Sequence, residues 1–196
     1  MIRGLAFVVV RGPALSGKTT VARLLAERLP DKVAVISQDD LWLRWIVGHD
    51  TDPAQETELI YRQMKLLAST YIRAQYHVVV DAAFALYREG AAATHDSDLR
   101  DLLGLVSTIR HVRPLLVTLT APLEVLLRRG RGSVAFAQVG AAPKSSDEPL
   151  DGDAAIEAMH RAFEASGLAS ALTLDTSALS PDEAVERILE RLETSP

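Results

Sequence analysis

The chain has 196 residues and not one cysteine. That excludes a disulfide framework and any thiolate metal site. Asparagine is absent as well. Its absence removes every N-glycosylation sequon and the Asn-Lys-x-Asp element with which switch GTPases read guanine. The histidines (His49, His77, His95, His111 and His160) form no i, i+4 pair, which argues against a zinc site. No apolar run is long enough to span a bilayer. The opening Met1-Ile2-Arg3-Gly4-Leu5 has the basic-then-apolar look of a signal peptide. Its apolar stretch is short, however, and no cleavage signal follows it. The expectation is a cytoplasmic protein with no membrane partner. Excess positive charge is lacking too, since the net charge is −5, which argues against general affinity for nucleic acid. With 48% hydrophobic and 24% charged residues, the composition is that of an ordinary globular chain, and the length suits one domain over 1–196.

What is present begins with Gly12-Pro13-Ala14-Leu15-Ser16-Gly17-Lys18-Thr19. This is the spacing of a Walker A loop: glycine, four residues, Gly-Lys, then Ser or Thr. Leu5–Val10 before it reads as a buried strand, and Val21-Ala22-Arg23-Leu24-Leu25 after it opens an amphipathic helix. A loop between strand and helix can wrap its backbone N–H groups around a phosphate at the positive end of the helix dipole. Residues Gly12 to Thr20 are therefore candidate nucleotide ligands. Lys18 can reach the terminal phosphates, and the Thr19 hydroxyl can ligate Mg²⁺.

Strand and helix signals alternate through the rest of the chain. Lys32–Ser37, His77–Asp81, Pro114–Thr120 and Ala171–Asp175 read as further buried strands. Between them, Ile60, Met64, Leu67 and Tyr71 recur at helical spacing. So do Leu99, Leu102, Leu103 and Val106, and then Ile156, Met159 and Phe163. The last helix has a capping box in Ser180 and Glu183 with Pro181 in its first turn, and a stripe of Ala184, Val185, Ile188, Leu189 and Leu192. The expected class is α/β, a parallel sheet with helices on both faces. Residues 130–152 lack periodicity, and a loop that long inside one domain is read as a mobile lid.

Ligands in such sheets bind beyond the carboxyl ends of the strands. Asp39 and Asp40 lie at that end of the second strand, and Asp81 ends the third. A carboxylate there can take the proton of an attacking hydroxyl, and Asp39 is the leading candidate, with Asp40 as the alternative or as a helix cap. Asp81 has the position of a Walker B acid that holds Mg²⁺ together with Thr19. Arg128, Arg129 and Arg131 open the lid, where arginines can clamp phosphates. Arg128 and Arg131 are the candidates for catalysis, and Arg128 also for the nucleotide. Trp42, Trp45, Phe84 and Tyr87 fall near the rim and can wall an acceptor pocket, although core packing is the better account of any one of them.

Together these residues resemble the P-loop phosphotransferases of the chloramphenicol phosphotransferase and zeta-toxin kinase type. Gln38-Asp39-Asp40-Leu41 is similar to the Asp-x-Leu segment that carries the base there. Val80-Asp81-Ala82-Ala83-Phe84 looks like that family's third-strand segment, and Leu174-Asp175-Thr176-Ser177 with Ser180-Pro181 is similar to its last strand and loop. The resemblance implies a five-stranded parallel sheet in order 2-3-1-4-5, an arginine lid, and ATP with Mg²⁺. It also implies an adenine contact at Asp175 and Thr176. Polynucleotide kinases carry an arginine three residues beyond the catalytic Asp, and this chain has Trp42 there, with Arg44 the nearest arginine.

The resulting expectation is an ATP-dependent phosphotransferase acting on a hydroxyl of a small molecule. A polynucleotide or nucleotide kinase, and an ATP-binding regulatory module without transfer chemistry, are the alternatives. The acceptor's identity and the oligomeric state are not encoded in any of these motifs.

Overall fold

The computed structural model describes residues 4–46, 53–88, 91–131 and 152–194. Five parallel strands form the main sheet: β1 (Leu5–Arg11), β2 (Val33–Ser37), β3 (His77–Asp81), β6 (Val112–Thr120) and β7 (Leu172–Asp175). Their spatial order is β2-β3-β1-β6-β7. Counting only these strands, that is the expected order 2-3-1-4-5. Two short strands, β4 (Ala85–Arg88) and β5 (Ala91–Thr94), intervene as a separate antiparallel hairpin. The stretch after β3 carries no alternating apolar pattern, so nothing in the sequence marks that hairpin.

Helices cover both faces. They are α1 (Lys18–Arg28), α2 (Gln38–Trp45), α3 (Pro53–Arg73), α4 (Asp96–Ser107), α5 (Leu123–Arg131), α6 (Gly152–Ala165) and α7 (Pro181–Thr194). Strand periodicity decides which residue feeds which core. Phe7 and Val9 pack with Ile60, Met64, Leu99 and Leu102 of α3 and α4. Ala6, Val8 and Val10 pack with Leu25 of α1 and Val185 and Ile188 of α7. Each fully buried branched side chain contributes about 1.5–3 kcal/mol by area. A third, smaller cluster of Ala121, Leu126 and Ile156 joins α5 to α6, and Leu15 of the Walker A loop packs against it.

The stripe expected on α3 is rotated. Ile60, Tyr61, Met64, Ala68 and Ile72 are buried, whereas Tyr71 is exposed and Leu67 only partly covered. Tyr71 leans on Tyr76 at 5.6 Å. Its amphipathic ring serves at a half-wet position, and the small Ala68 takes the close approach to the sheet. The capping box of α7 forms as read: Glu183 N–H donates to Ser180 Oγ (3.3 Å) and Ser180 N–H to Glu183 Oε2 (2.8 Å). Most of the lid expected at 130–152 falls outside the described residues. Among those described, no helix is long and apolar enough to cross a membrane.

Candidate active site

The Walker A loop leaves β1 at Gly12, and its course requires glycine. Gly12 has φ +152°, and a Cβ there would meet the Leu119 carbonyl oxygen at 2.3 Å and Ser16 Oγ at 2.7 Å. Gly17 is left-handed at φ +91° and caps α1, while Leu15 also takes a positive φ of 65°. These turns bring the loop back over the N-terminus of α1, where the first helical N–H groups point outward. Lys18 Nζ donates to the Pro13 carbonyl at 2.9 Å, spanning the loop's mouth. Ser16 Oγ is buried there with no hydrogen-bond partner among the described residues.

Two carboxylates share this mouth. Asp81 ends β3, beside Val10 of β1, and is 5% exposed. Burial raises its pKa above the ordinary carboxylate value; Lys18 and a hydrogen bond from Thr19 oppose that shift, and the charge of Asp39 adds to it. Burial lowers the Lys18 pKa, while Asp81 and Asp39 hold it up. Lys18, Thr19, Asp39 and Asp81, named from separate segments of the sequence, thus meet in one place. An exposed Thr19 hydroxyl against a buried carboxylate is a fitting hard-oxygen donor set for Mg²⁺. Among the described residues, no group of three or more His, Asp or Glu side chains offers a separate metal site.

The two acids at the end of β2 differ. Ser37 caps α2 by accepting from Asp40 N–H at 3.3 Å, and the Asp40 carboxylate takes Arg44 Nε at 3.2 Å, one turn along the helix. Asp39 is exposed on the side of Lys18. Gln38 fixes this turn: it is 7% exposed, and its Oε1 accepts from Phe84 N–H at 3.2 Å. Phe84 is a core residue, stacked on Tyr61 with centroids 5.2 Å apart, not the wall of an open pocket. Trp42 packs partly against the same core, and Trp45 is exposed.

A cleft of about 190 Å³ opens on the other side of the loop. Leu15, Thr20, Val21, Arg129, Thr176 and Pro181 line it. Arg129 holds it together, donating to the Leu15 carbonyl (3.1 Å), to Thr176 Oγ1 (3.0 Å) and to the Thr176 carbonyl (2.7 Å). The sequence brought the arginine cluster forward but did not single out Arg129, because nothing local tells which face of α5 looks at the loop. Arg128 is exposed, and Arg131 lies 3.7 Å from Asp153 of α6. Asp175 does not line the cleft. Its carboxylate accepts from Ser177 N–H (2.8 Å) and Oγ (2.6 Å), which lowers its pKa.

The sheet order, the loop and the two flanking acids define a P-loop nucleotide-binding protein with the fold of the small kinases. The chain belongs to the AAA domain family, which it matches over residues 7–166. Solved structures of similar fold span the whole chain. The APS kinase of Mycobacterium tuberculosis, in complex with AMPPNP and APS, is 21% identical over 99% of this chain and 100% of its own, with a TM-score of 0.65. The tunicamycin resistance protein of Deinococcus radiodurans is 21% identical over 98% of each chain (TM-score 0.62). A sugar kinase from a Janibacter species is 20% identical over 98% of this chain and 96% of its own (TM-score 0.60). No curated protein matches the sequence.

Proposed function

We propose that this protein transfers the γ-phosphoryl group of MgATP to a hydroxyl group of a small molecule. The observation that carries the reading is the Asp39 carboxylate, exposed at the rim and within electrostatic reach of both Lys18 and Asp81. In this reading the backbone N–H groups from Gly12 to Thr20 hold the triphosphate. Arg129, Thr176 and Leu15 form the cleft for the base. Asp39 accepts the acceptor's hydroxyl proton as its oxygen attacks phosphorus, the bond to the bridging oxygen breaks, and ADP leaves. Lys18 offsets charge on the group in flight. Thr19 and Asp81 would hold Mg²⁺, whose charge would offset that of the phosphates. Arg128 and Arg131, in the last turn of α5, are assigned to the phosphates in this reading.

The likeness to an APS kinase and a sugar kinase supports a hydroxyl acceptor, and the resemblance of Gln38-Asp39-Asp40-Leu41 to the chloramphenicol phosphotransferase segment supports Asp39 over Asp40. Arg44, the arginine nearest to Asp39 in sequence, pairs with Asp40 one turn earlier on α2. The test is ADP release from MgATP across a panel of hydroxylated small molecules and a 5′-hydroxyl oligonucleotide, with Lys18→Ala as blank. Release that depends on a small hydroxylated acceptor is the expected result. Salt-sensitive transfer to the oligonucleotide, or tight ATP binding with no transfer to any acceptor, contradicts the proposal.

A further inference from the structure

Arg11 is the last residue of β1, immediately before Gly12, and it is 1% exposed. Strand alternation sends its side chain to the same face as Phe7 and Val9. There Nη1 donates to Asp96 Oδ1 (3.1 Å) and Nη2 to Ser166 Oγ (3.2 Å), while Ser166 Oγ donates to Asp96 Oδ2 (2.8 Å). The Phe163 ring lies 4.8 Å from the guanidinium carbon. Nε is buried with no hydrogen-bond partner among the described residues. A buried ion pair with one donor left unsatisfied is a poor device for stability, since an apolar cluster of the same volume does as well or better. The arrangement is instead specific in what it joins. Asp96 starts α4, directly after the β4–β5 hairpin. Phe163 lies in the last turn of α6, the helix that follows the arginine-rich segment in sequence, and Ser166 is the first residue beyond it.

These elements are also in contact elsewhere. Helix α6 packs on both hairpin strands and on α5. A Cβ at Gly130 of α5 would meet the side-chain ends of Ile156 of α6 (2.7 Å) and Leu15 of the loop (3.3 Å), so the three lie together. The loop is therefore linked to α6 at both ends of that helix, through Leu15 at its start and Arg11 at its finish.

We propose that Arg11 is a positioning residue, whose guanidinium holds the entry of the phosphate loop, the start of α4 and the end of α6 in one register, so that nucleotide binding and the docking of α6 are energetically coupled. The inference rests on the nucleotide-binding reading above. Coupling of this kind is reciprocal: whatever docks α6 favours the occupied loop, and occupation of the loop favours docked α6. Lysine cannot replace the side chain fully, because one ammonium lacks the planar fork that meets Asp96 and Ser166 together.

The test is amide hydrogen exchange on the full chain, with and without MgAMPPNP, in the wild type, Arg11→Met and Arg11→Lys, alongside calorimetry of MgAMPPNP binding. In the wild type, nucleotide should slow exchange in 156–166 and 96–100 about tenfold. Arg11→Met should lose that increment while binding MgAMPPNP within about tenfold of wild type, the range of an ordinary coupling energy, and Arg11→Lys should recover part of it. Should Arg11→Met fail to fold, Ser166→Ala removes one bond of the cluster and should halve the increment or more. A merely structural arginine would raise exchange in both states and leave the increment intact, and that result overturns the proposal. A wild type that binds no MgAMPPNP refutes the nucleotide reading, and this inference with it.

Discussion

At the scale of single residues, glycines 12 and 17 separate steric from conformational need. Both have positive φ, but only Gly12 abuts backbone; around Gly17 a Cβ would meet nothing within 4 Å. Gly17→Ala should therefore cost only the left-handed penalty, about 1–2 kcal/mol. Gly12→Ala must also displace the Leu119 carbonyl, so it should melt lower than Gly17→Ala and lose nucleotide binding. Thermal melts and calorimetry on the two variants check this order. His77 gives a pH prediction. It is 5% exposed, and its Nδ1 accepts from Ala6 N–H at 2.9 Å. Burial holds its pKa below the ordinary value, against the pull of Asp31. The folded state thus favours the neutral ring. The unfolded chain takes up its proton near pH 6.5. Stability from this site is complete above that pH and is lost as pH falls from there toward the lowered folded pKa. His77→Asn, which keeps an acceptor but cannot titrate, should flatten the decline in melting temperature between pH 7.5 and 5.5. Lys18, Thr19 and Asp81 were legible because each sits at a fixed offset from a strand end. Arg11 and Arg129 were not. A buried or bridging arginine is spelled the same as a solvated one, and only tertiary contact separates them.

At the scale of elements, the strands read true because short β-branched runs flanked by turn residues have few other uses. Helix α7 read true because its capping chemistry is written in adjacent residues. Ser180→Ala removes the acceptor for Glu183 N–H and should cost about 1 kcal/mol, or roughly 2–4 °C in melting temperature for a chain of this length. Differential scanning calorimetry measures it directly. The rotation of the α3 stripe was hidden because Leu67 and Tyr71 satisfy the helical period as well as Ala68 and Ile72 do. Periodicity fixes that a helix is amphipathic, while the sheet it packs on fixes the angle. The β4–β5 hairpin escaped for a related reason. Its strands hold Ala85 and Ala91–Ala93, residues poor in β propensity, and its support is α6, distant in sequence.

At the scale of the molecule, the topology places the chemistry. The sheet order brings β2, β3 and β1 side by side, so Asp39, Asp81 and the Walker A loop converge from distant positions in the sequence. The cleft lined by Leu15, Arg129 and Thr176 lies on the opposite flank, between the loop and α7. In the proposed reading that side of the loop takes the nucleotide's base, and the other presents a rim carboxylate. The claim that matters most is that this carboxylate serves the transfer and not the binding. The direct measurement compares Asp39→Asn with wild type in two quantities: the dissociation constant for MgATP and the rate of acceptor-dependent ADP release. General-base catalysis supplies about 10²–10⁴-fold. The expected result is a rate lower by at least about a hundredfold, with MgATP affinity nearly unchanged. An unchanged rate in Asp39→Asn would contradict base catalysis by this carboxylate.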